Sequence, residues 1–427
     1  MKAVEGWRSG RLGELCSIEI GGTPSRSNPS FWDVSKESSN LWVSIKDLNR
    51  SVITDTAEYL SDSGIKHSNA KLQKQGTVLL SFKLSIGRVA FAGVPLYTNE
   101  AIAGLNSNRI NPHYLFHGLH QWDLLQDVDQ AIKGATLNKE KLKKITFEYP
   151  ELWIEQTKIA EILSTVDRAI EQTEALIAKQ QRIKTGLMQD LLTRGIDEHC
   201  NLRSEQTHQF KDSPIGRIPV EWDCTLLSRF VPSAEYGIST SLGESGNPVL
   251  RMNNLFEGEA DISDLKYTDL KVPEKLWLRD GDVLFNRTNS WEHVGRTGIW
   301  RGQVGKATFA SYLVRLNPDP DMLLSELLNV WLNWEPTQIA MRRLATPAVQ
   351  QVNINPTNLR AIHAAFPSSL NEQCEIVKRF TSMRKTISTC FESFKKLRSL
   401  KTALMQDLLK GNRRITALLN DAEVTSP

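Results

Sequence analysis

Side chains that can read the edges of nucleic-acid bases are concentrated in a few polar segments of this chain. Arginine can donate from two nitrogens to guanine, and the amide of asparagine or glutamine can both donate to and accept from adenine. Each such pair contributes about 1–3 kcal/mol of discrimination between bases. For every candidate, a contact with a phosphate and a purely solvated surface role remain open. In the second half the candidates are Arg251, Asn253, Asn254, Arg287, Asn289, Arg296, Gln350, Gln351 and Asn353. In the first half the corresponding candidates are Ser25, Arg26, Lys46, Lys83, Ser85, Arg88, Lys133 and Thr136.

Sequence patterns typical of catalysis are not found. The segment Asn111-Pro112-His113-Tyr114 superficially resembles the Asn-Pro-Pro-Tyr loop of adenine methyltransferases, but no glycine-rich cofactor turn precedes it. We interpret it as a loop before a helix. The segment 302–307 lacks the spacing of a phosphate-binding loop. We therefore expect no catalytic residues, no metal site and no cofactor in this chain.

An internal duplication shows how the chain is organised around the candidate side chains. Residues 137–192 recur at 354–409 with a constant offset of 217 and no gap. Both copies contain Pro-x4-Glu-Gln and end in Leu-Met-Gln-Asp-Leu-Leu, at 187–192 and 404–409. The offset is far longer than the roughly 20–50 residues of a solenoid repeat. Each copy should therefore be a whole domain with an element that joins it to the next.

The joining element is predicted to be a long helix. Apolar residues are spaced by threes and fours over 159–191 and again over 376–408, which is typical of a coiled-coil seam. Pro150 and Pro367 precede these stretches, and Gly195 and Gly411 follow them as stop signals. If the halves are related by a pseudo-twofold axis, the helices run antiparallel and the domains lie at opposite ends of a rod.

The predicted fold class is α+β, with two α/β domains joined by two long helices that form an antiparallel coiled coil with pseudo-twofold symmetry. Segments 42–48 and 76–80 correspond to 249–255 and 281–285, whereas the polar loops 83–86 and 286–291 differ strongly. A constant frame with different loops suits two related readers of different targets. The predicted boundaries are 1–150 for the first domain, 151–195 for its helix, 196–217 for a linker, 218–367 for the second domain, 368–411 for its helix and 412–427 for a tail.

Composition gives weaker constraints. The net charge of +3 is too small to diagnose a nucleic-acid partner, because a local patch matters more than a total. The five cysteines include no C-x-x-C pair, so reduced thiols are expected. The start of the chain has no apolar signal core, and no stretch approaches the roughly 18 apolar residues of a membrane span. We expect a cytoplasmic protein that does not bind a membrane.

The paired motifs resemble those of the specificity subunits of type I restriction-modification systems. The resemblance rests on Pro-x4-Glu-Gln at 150–156 and 367–373, on the Leu-Leu helix ends, and on Gly21-Gly22-Thr23-Pro24-Ser25. It implies a non-catalytic subunit with two target-recognition domains, each reading one half of a split double-stranded DNA sequence. It also implies partners: two methyltransferase subunits and further restriction subunits. S-adenosylmethionine, ATP and Mg would belong to those partners.

Two other readings stay open at this stage. A coiled-coil interaction scaffold would bind no specific DNA, and salt-dependent binding to a duplex would separate it from a DNA reader. A DNA-modifying enzyme with fused recognition domains would need a catalytic domain, and the two copies leave no stretch to hold one. The second domain lacks Gly-Gly-Thr-Pro-Ser and has Tyr236-Gly237-Ile238-Ser239 instead, so contacts should not be copied between the domains.

Overall fold

A computed structural model of the chain describes residues 5–83, 85–122, 124, 137–348, 351–416 and 419. The chain forms two compact units. Unit 1 comprises Met1–Ala175 with Phe391–Pro427, and unit 2 comprises Leu176–Cys390. Both long helices are therefore divided between the units, whereas the predicted boundaries treat each helix as a separate element.

Unit 1 is built from short strands and short helices that precede one long helix. Its helices are α1 (Leu12–Leu15), α2 (Asp62–Lys66), α3 (Pro112–Gln121), α4 (Lys139–Lys144) and the first part of α5 (Trp153–Thr193), with a 3-10 helix at Pro29–Phe31. Its strands are β1 (Trp7–Arg11), β2 (Ser17–Ile20), β3 (Leu41–Val43), β4 (Val52–Ile53), β5 (Glu58–Tyr59), β6 (Leu72–Gln73), β7 (Val78–Ser81), β8 (Val89–Ala92), β9 (Leu96–Thr98), β10 (Ile102–Asn106) and β11 (Thr146–Pro150).

Strand β7 is the centre of unit 1. It lies in a five-stranded sheet of order β2-β10-β7-β8-β4, beside a four-stranded sheet of order β5-β3-β9-β6 and the pair β1-β11. All four β7 residues are buried, because successive side chains point to opposite faces of a sheet and both faces are covered. Val78 and Leu80 join the core beneath α3 and α5. Leu79 joins a second core shared with β3 and β9.

Unit 2 repeats this plan with additional hairpins. Its helices are α6 (Leu227–Phe230), α7 (Ser325–Leu332), α8 (Glu335–Arg342), α9 (Pro356–Arg360) and the first part of α10 (Leu370–Leu408), with 3-10 helices at Met252–Asn254 and Glu274–Leu276. Its strands are β12 (Phe210–Ser213), β13 (Gly216–Pro219), β14 (Trp222–Leu226), β15 (Ser233–Tyr236), β16 (Asn247–Leu250), β17 (Leu255–Phe256), β18 (Gly258–Ala260), β19 (Lys266–Thr268), β20 (Val283–Asn286), β21 (Thr288–Asn289), β22 (Thr297–Ile299), β23 (Thr308–Phe309), β24 (Leu313–Asn317), β25 (Thr346–Ala348), β26 (Gln351–Asn353) and β27 (His363–Pro367).

Strand β20 takes the place in unit 2 that β7 has in unit 1. The main sheet has the order β15-β24-β20-β22-β18-β17, and three-stranded sheets of order β19-β16-β23 and β21-β26-β25 lie with it in unit 2. Val283 and Phe285 point into one core and Leu284 into the other. Both central strands are thus held by side chains that are buried alternately in two cores, one on each face of the sheet.

The long helices pack antiparallel within each unit, as the duplication predicted. In unit 1 the start of α5 and the end of α10 share one core, and Lys401 Nζ lies 2.6 Å from Asp167 Oδ1. In unit 2 the end of α5 shares a core with the start of α10, through Leu191 and Ile376. The fold class is therefore confirmed, with α+β units and antiparallel helices.

The repeated Glu-Gln motif joins each long helix to its own unit. Gln156 is fully buried, and its side chain accepts from the N–H of Asn111 at 2.7 Å and donates to the carbonyl of Pro150 at 2.9 Å. Gln373 repeats the arrangement with Leu324 at 2.9 Å and Pro367 at 2.8 Å. Each motif glutamine thus satisfies backbone groups at the same two places of the frame.

The motif glutamates bind arginines that follow the opposite long helix. Glu155 accepts from Arg414 at 2.7 and 2.8 Å, and this hydrogen bond raises the pKa of Arg414. Glu372 accepts from Arg203 at 2.5 and 2.9 Å. Just after α5, Gly195 has a φ of +62°, the left-handed conformation of a helix-ending glycine. Gly411 has a φ of +66°, so both glycines that were expected to stop a helix have this conformation, and the helices end a few residues before them, at Thr193 and Leu408.

Candidate nucleic-acid interface

Each unit holds one polar loop on the same backbone frame. In unit 1 the loop 82–86 follows β7 and is closed by the Gly87 N–H, which donates to the carbonyl of Ser81 at 2.9 Å. In unit 2 the loop 287–294 follows β20, and the Gly295 N–H donates to the carbonyl of Asn286 at 2.8 Å. Gly87 and Gly295 have φ values of +90° and +85°, which favour glycine. The loops differ in length and side chains while their closure is the same.

A second pair of hydrogen bonds ties the loops to the duplicated segments. The N–H of Leu137 donates to the carbonyl of Phe82 at 3.2 Å, and the N–H of Ile354 donates to the carbonyl of Arg287 at 2.8 Å. Leu137 and Ile354 are the first residues of the two repeat copies. The same backbone position thus carries a fully buried phenylalanine in unit 1 and a half-buried arginine in unit 2.

The structure brings four of the predicted unit 2 residues together. Strand β21 pairs antiparallel with β26, and Thr288 lies opposite Asn353. Gln351 lies on the same strand as Asn353, and β25 extends the sheet on its other side. Arg287 immediately precedes this sheet. These residues therefore lie close together, with Thr288, Gln351 and Asn353 on one face of the sheet and Asn289 on the other. We call Arg287, Thr288, Asn289, Gln351 and Asn353 the amide sheet.

Several polar atoms of the amide sheet have no hydrogen-bond partner in the described part of the chain. They are Arg287 Nε, Thr288 Oγ1 and Asn353 Oδ1, and Asn286 Oδ1 at the end of β20 is a fourth. All four atoms are buried. A buried polar atom without a partner costs about 1–3 kcal/mol, so a cluster of them indicates a place where a ligand or water supplies the missing bonds.

One exposed aromatic ring lies against Arg287, and two more exposed aromatic residues are close to it in the chain or through a backbone bond; the sequence did not assign any of the three. The N–H of Arg287 donates to the carbonyl of Tyr312 at 3.0 Å, and its guanidinium carbon lies 5.1 Å from the ring centroid of Tyr236. Tyr236, Tyr312 and Trp291 are 49%, 46% and 53% exposed. A half-exposed aromatic residue at a strand end can indicate a binding surface. The exposure of Tyr236 depends on the pairing of β15 with β24, which cannot be read from the sequence.

Two other predicted residues of unit 2 hold the protein itself together. Asn254 is 2% exposed, and its amide donates to the carbonyls of Asp261 and Asp264, each at 2.9 Å. Arg251 pairs with the carboxylate of Asp264 at 2.8 Å. We leave both out of the proposed contact set because the Asn254 amide and Arg251 Nη2 already donate to groups of the protein. Asn253 between them is exposed.

Arg296 lines a different surface from Arg287. It borders a cavity of about 310 Å³ in unit 2, between the sheet and the adjoining parts of α5 and α10. Arg301 and Arg384 line the same cavity, and Arg384 pairs with Glu259. The structure therefore does not bring Arg296 together with the amide sheet.

The predicted residues of unit 1 form a more basic surface. Arg88 donates to the carbonyl of Ile45 at 3.3 Å, which places it beside Lys46. Arg50 and Arg88 line one groove of about 530 Å³, and Lys46 and Arg50 are exposed. We call Lys46, Arg50 and Arg88 the basic group. Arg50 was not among the predicted residues, although its place beside Lys46 in the sequence could have indicated it.

The remaining predicted residues of unit 1 have different places. Lys83 and Ser85 lie on the loop 82–86 and are half-buried, and the carbonyl of Ser85 accepts from the hydroxyl of Ser81. The structure thus places both at the closed loop, next to Arg88. Lys133, Thr136 and, in unit 2, Gln350 lie outside the described residues.

The Gly-Gly-Thr-Pro-Ser segment has a structural role that the sequence did not reveal. A Cβ atom on Gly21 would lie 1.9 Å from the carbonyl oxygen of Thr98, so no larger residue fits. Ser25 bonds to Ser27 at 2.8 Å. Arg26 pairs with both oxygens of Glu58, and this hydrogen bond raises the pKa of Arg26. Arg26 is therefore occupied within the protein.

A buried histidine lies behind the basic group. His117 on α3 bonds to the hydroxyl of Ser164 at 3.0 Å, and its Nδ1 is 3.7 Å from the carboxylate of Asp167. Burial lowers the pKa of His117 to about 4, although Asp167 opposes the shift. His117 is thus neutral at pH 7. Asn111 caps the start of this helix, and its Oδ1 accepts from the N–H of His113 at 2.9 Å. The segment Asn111-Pro112-His113-Tyr114 is therefore the cap and first turn of α3 rather than the loop that we expected before it.

The described residues contain no group of three histidine, cysteine, aspartate or glutamate side chains arranged to hold a metal ion. Among the helices of the described segments, none is both long and apolar enough to cross a membrane.

Comparison with known proteins finds similar sequences of one kind. The family model for the type I restriction modification DNA specificity domain matches residues 4–180. The chain is 25% identical over 321 residues to the type I restriction enzyme MjaVIII specificity subunit of Methanocaldococcus jannaschii, covering 71% of each chain. It is 25% identical over 214 residues to the EcoR124I/EcoR124II specificity subunit of Escherichia coli, covering 48% of this chain and 47% of that one. This second alignment spans about half the length of the relative.

A solved structure has the same fold. The type I restriction-modification S subunit from M. genitalium superimposes with a TM-score of 0.58 at 12% identity, over 94% of this chain and 96% of that chain. The specificity-domain match covers most of unit 1, and the likeness to the solved structure extends over both units. The chain is thus similar in sequence to type I restriction enzyme specificity subunits, and residues 4–180 match the model of their specificity domain.

Proposed function

We propose that this chain is the DNA-recognition subunit of a type I restriction-modification complex. Each unit would read one half of a split target in double-stranded DNA. The observation that carries the proposal is the pair of loops that share their closing hydrogen bonds but differ in chemistry, with Phe82 in one unit at the position of Arg287 in the other. A scaffold without a target would need no such difference.

The two surfaces suit two aspects of DNA binding. The basic group offers cations to phosphates, which position a protein on a duplex. The amide sheet offers groups of the types that read base edges. The proposed contact residues are the predicted set without Asn254, Arg251 and Arg26, together with Arg50.

The partners and cofactors are also proposed. Two methyltransferase subunits would bind the duplicated frame, because a repeated surface presents two equivalent sites, and restriction subunits would join them. S-adenosylmethionine, ATP and Mg would be bound by those partners, and this chain would itself be non-catalytic. The complex would act in the cytoplasm.

Mapping methylation in living cells tests the proposal. The chain would be co-expressed with the methyltransferase encoded beside it, and methylated adenines would be mapped across the host genome by single-molecule sequencing. The matched control is the same methyltransferase without this chain. We expect a split motif with a fixed gap that appears only when both proteins are present.

Two results would overturn the proposal. One is a well-formed complex of the two proteins that adds no methylation to the genome. The other is binding to duplex DNA whose affinity does not change with salt, since phosphate contacts make affinity fall steeply as salt rises. Either result would favour the interaction scaffold.

A further inference from the structure

We propose that Arg287 reads a guanine in the half-site of unit 2, and that the ring of Tyr236 positions its guanidinium group. The inference rests on the proposed function and deepens it, because it names one specificity-determining residue, one positioning residue and one base. Unit 1 has no counterpart, since Phe82 takes this place there. Only one half of the split target should therefore contain a guanine read in this way.

The first step is that Arg287 lacks a charge partner. It is half-buried, and no carboxylate of the described residues forms an ion pair with it. Two other partly buried arginines of unit 2 are paired, Arg251 with Asp264 at 2.8 Å and Arg315 with Asp282 at 2.8 Å. Arg296 and Arg342 resemble Arg287, since the described residues give neither of them an ion pair. A desolvated cation is costly unless an acceptor faces it. An acceptor supplied from outside the chain would remove this cost.

The second step concerns the direction of the guanidinium group. Arg287 Nε is buried and unpartnered, and the guanidinium carbon lies 5.1 Å from the Tyr236 ring centroid. Cation–π contact at this distance holds the planar group against the ring. Because Nε is buried, the two terminal nitrogens, Nη1 and Nη2, are the donors that a ligand can reach. A fork of two donors matches the O6 and N7 acceptors of guanine in the major groove.

The third step distinguishes a base from a phosphate. The loop 287–294 and strand β26 carry one arginine and no lysine. The other polar side chains of the amide sheet are a hydroxyl and carboxamides, which can accept as well as donate. A phosphate offers only acceptors and suits a cluster of cations, such as the basic group of unit 1. An arginine without another cation in its loop suits a base edge better than a phosphate.

The backbone around Arg287 is fixed on three sides. Its N–H donates to Tyr312, its carbonyl accepts from Ile354 at 2.8 Å, and the loop is closed at Gly295. Gln338 donates to the carbonyl of Gly295 at 2.8 Å and is itself 6% exposed. A preorganised backbone lowers the entropy lost on binding, which specificity at a single base requires.

The test uses the complex of the full chain with its methyltransferase and a duplex carrying the motif found by methylation mapping. Each guanine of the motif is replaced in turn by 7-deazaguanine, which removes the N7 acceptor and keeps base pairing. Dissociation constants are measured by fluorescence anisotropy at fixed salt. At one position we expect the wild-type complex to bind about 5- to 150-fold more weakly.

Variants connect that position to the two residues. Arg287→Ala should weaken binding to the unmodified duplex by a similar factor and show no further loss with 7-deazaguanine. Arg287→Lys should behave similarly, because a point charge cannot bond bidentately. Tyr236→Phe should keep the discrimination and Tyr236→Ala should reduce it. The matched control is Arg279→Ala, an exposed arginine just before the opposite end of β20, which should leave the discrimination unchanged.

Clear outcomes overturn the inference. A motif without guanine would refute it and leave the proposed function intact, whereas the absence of any motif would refute the proposed function itself. If no 7-deazaguanine weakens wild-type binding, Arg287 does not read N7, whatever the variants do. If Arg287→Ala weakens binding equally to all duplexes and lowers the salt dependence, Arg287 contacts a phosphate.

Discussion

The ion pair of Glu372 with Arg203 gives the sharpest prediction of stability. Both side chains are buried, at 9% and 7% exposed. Glu372 also accepts from the N–H of Ile196 at 3.0 Å and from Trp222 Nε1 at 3.2 Å. Replacing Glu372 by glutamine keeps the size of the side chain and its hydrogen-bonding oxygen, but it leaves the charge of Arg203 buried and unpaired.

The expected loss follows from the burial of the pair. Removing one partner of a buried ion pair costs about 3–5 kcal/mol. The carboxylate of Glu221 lies 3.8 Å from Arg203 Nε and is half-exposed, so it offsets part of the loss. We therefore expect Glu372→Gln to lower the free energy of unfolding of unit 2 by about 2–4 kcal/mol. For a unit of this size that corresponds to a fall of about 5–15 °C in its Tm.

The assay is scanning calorimetry of the purified chain, with hydrogen exchange to assign the weakened segments to unit 2. The matched control is Glu375→Gln on the same helix, whose partner Lys378 is 70% exposed. Exposed pairs contribute about 0–1 kcal/mol, so its Tm should hardly change. The double variant Arg203→Met/Glu372→Gln should recover much of the loss, because it removes both charges and keeps an oxygen that accepts from Ile196 and Trp222. Equal Tm values for Glu372→Gln and Glu375→Gln would refute the reasoning.

Three further predictions concern binding, pH and reactivity. Arg88→Ala should lower by about 0.9 the slope of log affinity against log salt, measured by anisotropy, if its side chain neutralises one phosphate; an unchanged slope would exclude that contact. His117 has a pKa of 6.5 in the unfolded chain and about 4 in the folded chain. The neutral histidine therefore contributes about 2–3 kcal/mol to the free energy of unfolding above pH 6.5, and this contribution is lost as the pH falls toward 4. Denaturant unfolding over this range should show a weaker pH dependence for His117→Gln than for the wild type, and equal slopes would contradict the prediction. Burial raises the pKa of Cys16 to about 12, so its thiol should not react in the native chain at pH 8. Mass spectrometry after thiol labelling should find the exposed Cys200 and Cys374 modified and Cys16 unmodified. Early labelling of Cys16 would contradict this prediction.

The sequence predicted the elements that depend on local pattern. The long helices were expected at 151–195 and 368–411 and occupy Trp153–Thr193 and Leu370–Leu408, because apolar spacing and stop glycines act over a few residues. It did not predict the arginines that pair with the motif glutamates. Arg203 and Arg414 differ by 414 − 203 = 211 positions rather than 217, so comparing the copies does not find them.

The candidate site was predicted unevenly for a related reason. Arg287, Asn289, Gln351 and Asn353 come together only through the pairing of β21 with β26, which joins residues far apart in the chain. Composition selected the right residue types, but the same types also selected Asn254, whose donors bond to the protein's own backbone. Which amides are occupied is decided by long-range pairing, and a list of polar residues does not contain that information.

The way the loops are anchored explains how one frame can serve two targets. The bonds at Phe82 and Arg287 join backbone N–H groups to backbone carbonyls, so they do not depend on which side chain is present. A fully buried phenylalanine and a half-buried arginine can therefore occupy the same position without disturbing the helices. The Glu-Gln motifs hold the helices through separate contacts. Substitutions in the loops and substitutions in the helices should therefore affect stability independently. Exchange of the loop 287–294 should consequently change the sequence that is read while the helices keep their packing.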